Sequence, residues 1–173
     1  GFSQTQAAIA LTEHLLQRGR QRIAFAAAQL DPRTMQRLDG WRKALKAAKR
    51  YDKALTYTNK SASSMALGGQ MLAEILKNDP EVDAIFFCND DLAQGALLAA
   101  QRLKIKVPQQ LAIVGFNDLT GSDLIGPGLT TIRTPRAEIG QAAAHMLLAL
   151  MREEDVPTPS VDVGYELMVR GST

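Results

Sequence analysis

Residues 84–103 read AIFFCNDDLAQGALLAAQRL and join an apolar run to a segment with helical periodicity. The run 84–88 is apolar on both faces, which is typical of a parallel strand covered by helices on both sides. Apolar residues recur every three or four positions in 90–103, which predicts a helix with Leu92 and Leu97 on its buried face. A buried strand followed directly by such a helix is one strand–helix unit of an α/β sheet.

The same alternation extends to both sides of this unit. Strand-like apolar runs lie at 22–27, 54–57, 84–88 and 111–116. Segments of helical periodicity lie at 6–18, 33–50, 64–77, 90–103 and 135–152. The alternation predicts an α/β fold in which an open, mostly parallel sheet carries helices on both faces.

The pattern changes after the fourth predicted strand. Residues 117–128 are rich in glycine and proline toward their end, which predicts a long loop. From Pro157 onward the sequence predicts a loop, followed by short strands around 161–163 and 165–169.

The composition is that of one ordinary globular domain. Apolar residues make up 46% and charged residues 22% of the 173 residues, which excludes intrinsic disorder. The formal net charge of +2 gives no argument for binding nucleic acid or an anionic membrane. The single cysteine, Cys88, excludes an internal disulfide framework and a cysteine-rich zinc site.

We expect neither a membrane span nor a secretion signal. The longest apolar stretch, 142–151, contains His145 and is too short to cross a bilayer. No secretory signal pattern opens the sequence. These features favour a soluble domain from a reducing compartment such as the cytoplasm.

The usual sequence motifs of enzymes are missing. The sequence has no G-x-x-x-x-G-K-[ST], no G-x-G-x-x-G and no G-x-S-x-G. His14 and His145 lie on different predicted helices and outside any metal-ligand spacing. We expect His14 to be half-exposed, His145 to be packed or solvated, and Cys88 to be a small core residue. The sequence therefore predicts no catalytic residue, no metal and no cofactor.

Polar and charged side chains follow every predicted strand. In an open α/β sheet, ligands bind beyond the carboxyl ends of the strands. The groups that follow the four strands are Gln29, Asp31, Arg33, Thr34 and Arg37; Asn59, Lys60, Ser61, Ser63 and Ser64; Asn89, Asp90 and Asp91; and Asn117 and Asp118. This set suits a polyhydroxylated small molecule, because amides and carboxylates bind hydroxyl groups and arginine binds an acid group bidentately.

Each of these groups also has a purely structural interpretation. Asn89 and Asp90 are typical helix caps, with capping the stronger alternative for Asp90. Asn117 and Asp118 are typical turn residues. Arginines on the helix 33–50 are commonly solvated. The convergence of all four strand ends on one edge of the sheet favours a binding site over these separate explanations.

Five motifs occur in one order along the chain. They are R-I-A-F (22–25), R-x-x-G-W (37–41), F-x-N-D-D-L-A-x-G-A (87–96), V-P-x-x-L-A-I-V-G-F-N-D (107–118) and T-T-I-R-T-P (130–135). Together they resemble the effector-binding region of the LacI/GalR family of bacterial transcription repressors. The segments L-D-P-R-T (30–34) and R-T-P-R (133–136) and the serines near Ser63 resemble the branch that controls gluconate or 2-ketogluconate use.

The resemblance implies the organisation of the chain. Family members carry a helix-turn-helix, a hinge helix and a two-lobed effector region, and they act as homodimers on operator DNA. By resemblance, 1–131 is the C-terminal lobe, whereas 132–173 contains segments returning to the N-terminal lobe and the C-terminal tail. We expect the DNA-binding domain to be absent from this chain, and the loop 124–128 with nearby helix faces to form part of the dimer surface.

The resemblance also implies the effector-binding residues. Arg37 matches the arginine that contacts the effector in the family, and Asn89 and Asn117 match two further positions of its pocket. Asp31 and Arg33 match positions in the loop before that arginine that often line the pocket.

Two of the matching positions indicate the kind of effector. Ser63 stands where many members have an aromatic ring, which fits an open-chain or non-planar ligand. Asn117 stands where the family commonly has Asp, and an amide there removes a negative charge that would repel an acid. We therefore expect a sugar acid, gluconate or 2-ketogluconate, with its carboxylate on Arg37 assisted by Arg33.

Two other classes of protein remain as alternatives. A periplasmic sugar-binding protein of a transport system shares the expected fold and pocket. An enzyme, such as a flavodoxin-like hydrolase or a receiver-type phosphoacceptor, would use Asp90 and Asp91 as an acidic metal pocket.

Overall fold

A computed structural model describes residues 1–156, 158 and 160–173. The helices are α1 (Gln4–Gln17), α2 (Pro32–Ala47), α3 (Met65–Asn78), α4 (Asp90–Arg102) and α5 (Arg136–Met151), with a short 3-10 helix at Lys53–Leu55. The strands are β1 (Ile23–Ala27), β2 (Thr56–Thr58), β3 (Ala84–Phe87), β4 (Ala112–Val114), β5 (Thr131–Arg133) and β6 (Glu166–Met168).

The first four strands form one parallel sheet in the order β2-β1-β3-β4. Phe25 of β1 lies opposite Thr56 of β2 on one side and Phe86 of β3 on the other. Strands β5 and β6 pair antiparallel in a second sheet, with Ile132 opposite Leu167. The predicted α/β fold with a mostly parallel sheet and five helices is confirmed.

The last part of the chain differs from the prediction. The prediction of a strand around 161–163 is wrong, because these residues form no strand ladder; Val161 and Val163 bond to the backbone of Gly1. The strand expected at 165–169 is present as β6, and its partner β5 was not predicted. Residues 117–128 form the expected loop, whereas Pro157, where the final loop was expected to begin, lies outside the described residues.

Aromatic side chains fill the core beside the central strands. Phe25 packs against Trp41 of α2 at a ring-centroid distance of 5.6 Å and against Phe86 at 5.2 Å. Phe86 stacks on Phe116 at 6.5 Å. All four side chains are fully buried, and each contributes about 1.5–3 kcal/mol by leaving water.

Glycines let neighbouring helices touch through their backbones. A Cβ added at Gly40 of α2 would fall on the backbone oxygen of Thr5 in α1. Similarly, a Cβ at Gly95 of α4 would fall on the carbonyl group of Met65 in α3. Because these helices run antiparallel to the strands, their N-termini meet at the carboxyl edge of the sheet.

Helix α5 stands apart from this core. None of its residues is buried, and it exposes Leu147, Leu150 and Met151.

Among the residues that the structure describes, no helix is both long and apolar enough to cross a membrane.

His14 is buried rather than half-exposed as predicted. Its Nε2 lies 2.9 Å from Oγ1 of Thr173, because the end of the chain packs against α1. Burial lowers the pKa of His14, and the nearby charge of Arg18 lowers it further.

Candidate functional site

A polar cavity of about 180 Å³ opens at the carboxyl ends of the parallel strands. It is lined by Ala28, Gln29, Asp31, Arg33, Thr34, Arg37, Asn89 and Asn117. Five of the six residues predicted to bind the effector thus share one cavity. The sixth, Ser63, does not line it but donates a hydrogen bond from Oγ to Oδ1 of Asn89 at 3.0 Å.

A second cavity of about 650 Å³ adjoins the first. The two share Arg33, Arg37 and Asn117. Phe2 and Ile139 give the second cavity an apolar wall that the first lacks. A ligand that places its charged end at the first cavity therefore has room to extend into the second.

Arg37 is the central side chain of the site. Its guanidinium donates from Nη1 to the carbonyl oxygen of Cys88 at 2.6 Å and from Nε to Oε1 of Gln4 at 2.8 Å. Nη2 donates to Oδ1 of Asn117 at 3.3 Å, and Cζ lies 3.9 Å from the centroid of the Phe116 ring. These contacts use three of the five N–H groups of an arginine and fix the plane of the guanidinium.

No carboxylate of the described residues forms an ion pair with Arg37, although the charges of Asp31 and Asp90 act on it from further away. Arg37 is only 7% exposed, and burial lowers its pKa to about 10, so it is still a cation at neutral pH. Its three hydrogen-bond acceptors are neutral. A buried cation without an ion-pair partner is costly, and an anionic ligand would offset that cost.

Asp31 and Arg33 form the outer wall of the cavity. Asp31 caps α2, because its Oδ1 accepts a hydrogen bond from the backbone N of Thr34 at 2.8 Å. Its Oδ2 lies 3.3 Å from Nη2 of Arg33, whose side chain is 71% exposed. Burial raises the pKa of Asp31, but the bonds from Thr34 and the charge of Arg33 outweigh burial and keep that pKa below its ordinary value. The expectation of a solvated arginine therefore holds for Arg33 and is wrong for Arg37.

Asn89 and Asp90 have different partners. Asn89 is the cap of α4, since its Oδ1 accepts from the backbone N of Leu92 at 3.1 Å. Asp90 does not cap the helix: its Oδ1 accepts from Thr131 Oγ1 at 2.7 Å, and its Oδ2 accepts from the backbone N of Leu119 at 2.7 Å. The capping alternative is thus wrong for Asp90. Burial raises the pKa of Asp90. Its two oxygens accept hydrogen bonds from Leu119 and Thr131, and these bonds connect α4 to the segment after β4 and to β5.

Asn117 and Asp118 lie in the segment that follows β4. Both have a positive φ, +115° and +51°, which asparagine and aspartate tolerate better than most residues. The backbone N of Asn117 donates to the carbonyl oxygen of Ile132 at 2.8 Å. Asn117 thus forms an isolated parallel bridge with Arg133, so the turn interpretation agrees with the positive φ values but not with this backbone pairing. The side chain of Asn117 lines the cavity.

Sequence reasoning missed two contacts of Arg37. Gln4 and Phe116 were not predicted at the site, although both touch the guanidinium. A signal for Gln4 exists in the sequence. It opens the helix before β1, and helices antiparallel to the strands bring their N-termini to the ligand-binding edge.

Parallel strands whose carboxyl ends surround a polar cavity define a small-molecule-binding α/β domain. The periplasmic binding protein-like domain family matches residues 12–173. The chain belongs to this family.

Similar proteins are bacterial transcriptional regulators. The chain is 53% identical over 173 residues to the HTH-type transcriptional regulator GntR of Pseudomonas aeruginosa, covering 100% of this chain and 50% of that protein. It is 34% identical over 168 residues to the HTH-type transcriptional regulator IdnR of Escherichia coli, covering 96% of this chain and 50% of that protein.

A solved structure of a bacterial transcription regulator is also similar to this chain. The crystal structure of transcription regulator GntR from Chromobacterium violaceum matches with a TM-score of 0.98 at 50% identity, covering 99% of this chain and 64% of that one. The chain spans about half the length of the curated relatives it matches. The resemblance to LacI/GalR-family regulators is confirmed.

Proposed function

We propose that this chain is the effector-binding part of a LacI-family transcriptional regulator that responds to a sugar acid, gluconate or 2-ketogluconate. The observation that carries the proposal is the buried Arg37 cation, held by three neutral acceptors at the cavity. The names of the GntR and IdnR relatives support a gluconate-type ligand. The proposed role is binding rather than catalysis, in the cytoplasm, where operator DNA is found.

The hydrogen-bonding capacity of the site fits an acid better than a neutral sugar. Arg37 retains two N–H groups, which match the two oxygens of a carboxylate. Oδ1 of Asn89 accepts from both Ser63 and Leu92, so its NH2 group remains to donate to a ligand. Hydrogen-bond donors are therefore the main groups beside the Arg37 cation. Asp31 and Thr34 at the outer wall can bind hydroxyl groups of the ligand.

The effector acts by favouring one of two arrangements of the lobes. In this proposal, 1–131 is one lobe, and 132–173 supplies the segments that return to a second lobe and the C-terminal tail. The absence of buried residues along α5 supports this division, because its apolar side chains need a partner. An effector changes operator binding only if it binds one arrangement more tightly than the other. The contact with DNA is made by a domain outside this chain.

We further propose that the regulator is a homodimer. Met65, Leu98 and Leu103 are exposed beside a groove between α3 and α4, and Leu124 in the following loop is 79% exposed. Apolar surface of this kind is typical of subunit contacts. The molar mass of the full-length protein in solution, measured by light scattering, checks this proposal.

Calorimetric titration of the full-length protein with gluconate, 2-ketogluconate and glucose tests the proposed effector. We expect an acid to bind and glucose to bind far more weakly. Arg37→Ala should reduce binding of the acid by at least roughly 1.5–3 kcal/mol, the range for a hydrogen bond to a charged group.

The matched control is Lys43→Ala, which removes a positive charge from the exposed face of the same helix. It should leave the affinity unchanged. Unchanged affinity in Arg37→Ala would remove this residue from the site, and binding of glucose alone would overturn the choice of effector.

A further inference from the structure

Gln4 holds the cation of the proposed effector site in place. It is the first residue of α1, and its Oε1 accepts a hydrogen bond from Nε of Arg37 at 2.8 Å. It also lines the second cavity, beside Arg33 and Asn117. A role for this contact in ligand binding rests on the proposed function.

The backbone fixes the position of Gln4. Ser3 caps α1 through a hydrogen bond from the backbone N of Gln6 to its Oγ at 3.2 Å. Gly40 allows α1 to approach α2 closely, and Thr5 Oγ1 donates to the carbonyl oxygen of Gln36 at 3.3 Å. The first turn of α1 is therefore tied to the turn of α2 that carries Arg37.

Local stability by itself favours a carboxylate at this position. A glutamate has the same length as glutamine and would accept the same hydrogen bond. Negative charge in the first turn of a helix is stabilised by the helix dipole, and it would also pair with the Arg37 cation. Yet the first turn of α1 contains no acidic residue.

The neutral amide has a consequence for ligand binding. Cys88, Asn117 and Gln4 all present uncharged oxygens to the guanidinium. A carboxylate in place of the Gln4 or Asn117 amide would neutralise the cation before a ligand arrives, and it would repel the acid group of that ligand. The three contacts position Arg37 without neutralising it.

We propose that Gln4 is a specificity-determining residue, which fixes Arg37 through a neutral oxygen and so reserves its charge for an acidic effector.

Three variants of the full-length protein test this role: Gln4→Glu, Gln4→Met and Gln6→Glu. Gln4→Glu should weaken gluconate binding at least about tenfold, because an internal anion replaces the ligand's carboxylate. Gln4→Met removes the acceptor but adds no charge, so its loss should be smaller. Gln6→Glu is the matched control, since it adds the same charge to the first turn of the same helix at an exposed residue that lines neither cavity, and it should have little effect.

Melting temperatures measured without ligand separate a role of Gln4 in ligand specificity from a role in stability. Gln4→Glu should melt at or above the wild-type temperature, whereas its stabilisation by gluconate should shrink. A larger loss of affinity in Gln4→Met than in Gln4→Glu, or wild-type affinity in Gln4→Glu, would overturn the inference alone. Failure of the wild-type protein to bind either sugar acid would overturn the proposed function and this inference with it.

Discussion

Asn117 combines a backbone role with a side-chain role. It follows β4 with a positive φ, and its N–H reaches the carbonyl oxygen of Ile132. Its side-chain oxygen meanwhile accepts from Nη2 of Arg37. Aspartate also tolerates a positive φ, so the backbone does not by itself require an amide here.

Changing Asn117 to Asp should therefore alter ligand selectivity with little effect on folding. We expect the affinity for gluconate to fall about tenfold or more, and the affinity for a neutral sugar such as glucose to fall less, because the new carboxylate repels only the acid. Calorimetric titration of both ligands measures the difference. Asn59→Asp is the control, since Asn59 follows β2 at the same edge but does not line the cavity. Equal weakening of both ligands by Asn117→Asp would contradict the electrostatic explanation.

Helix α2 carries Arg37 and two residues that pack the helix against its neighbours. Asp31 caps the helix, Pro32 opens it, and Arg37 follows after the first turn. Gly40 and Trp41 come one turn later and pack against α1 and β1 respectively. The motif R-x-x-G-W thus combines a buried cation at the cavity with two packing residues at helical spacing.

Gly40→Ala should disturb both stability and the site. The new Cβ would meet the backbone oxygen of Thr5, so α1 must move away from α2 and take Gln4 with it. We expect a loss of about 1–3 kcal/mol in the free energy of unfolding, measured with urea, and weaker gluconate binding. Gly140→Ala in α5 is the control, because an added Cβ meets nothing among the described residues within 4 Å. It should stabilise by about 0.5–1 kcal/mol, and an equal effect of both changes would contradict the packing argument.

Asp118 connects distant parts of the whole chain. Its carboxylate pairs with Nε of Arg133 in β5 at 2.8 Å and with Nη2 of Arg170 in the tail at 2.7 Å. Arg133 also reaches Glu166 of β6 at 3.0 Å. These contacts join the segment after β4, the second sheet and the C-terminal residues into one unit.

Asp118→Asn should destabilise the protein in a pH-dependent way. Burial raises the pKa of Asp118, but the bonds from Arg133 and Arg170 lower it by more, so the folded pKa lies below its ordinary value. The folded protein then holds the proton less tightly than the unfolded chain. This stabilisation is complete above the unfolded pKa of about 3.9 and is lost as the pH falls below it through the folded pKa.

Urea unfolding of wild type and Asp118→Asn across the pH range measures this effect. We expect a difference of about 1–3 kcal/mol at neutral pH, which shrinks toward zero in acid. Asp123→Asn, an exposed change in the same loop, should show no such dependence. A difference that stays constant from neutral to acidic pH would show that the ion pairs are not its cause.

The candidate site could be predicted only in part. Arg37, Asn89 and Asn117 follow strands or belong to recognisable motifs, so their meeting at one edge follows from the parallel topology. The start of α1 indicates that Gln4 lies near this edge, but its contact with Arg37 could not be predicted, and neither could the bonding of Asp90. Their partners lie on other elements, at residues distant in sequence. The burial of His14 depends likewise on Thr173, at the far end of the chain.

The sequence by itself determined the alternation of strands and helices and the parallel sheet. These follow from local periodicity, since each buried strand or helix face leaves its pattern in a few adjacent residues. Only the tertiary structure decided the pairing of β5 with β6 and the absence of a strand at 161–163. It also decided that the Arg37 cation has neutral partners alone among the described residues. Strand pairing and charge balance depend on contacts between residues that are distant in sequence. A local sequence pattern does not determine which of these residues come into contact.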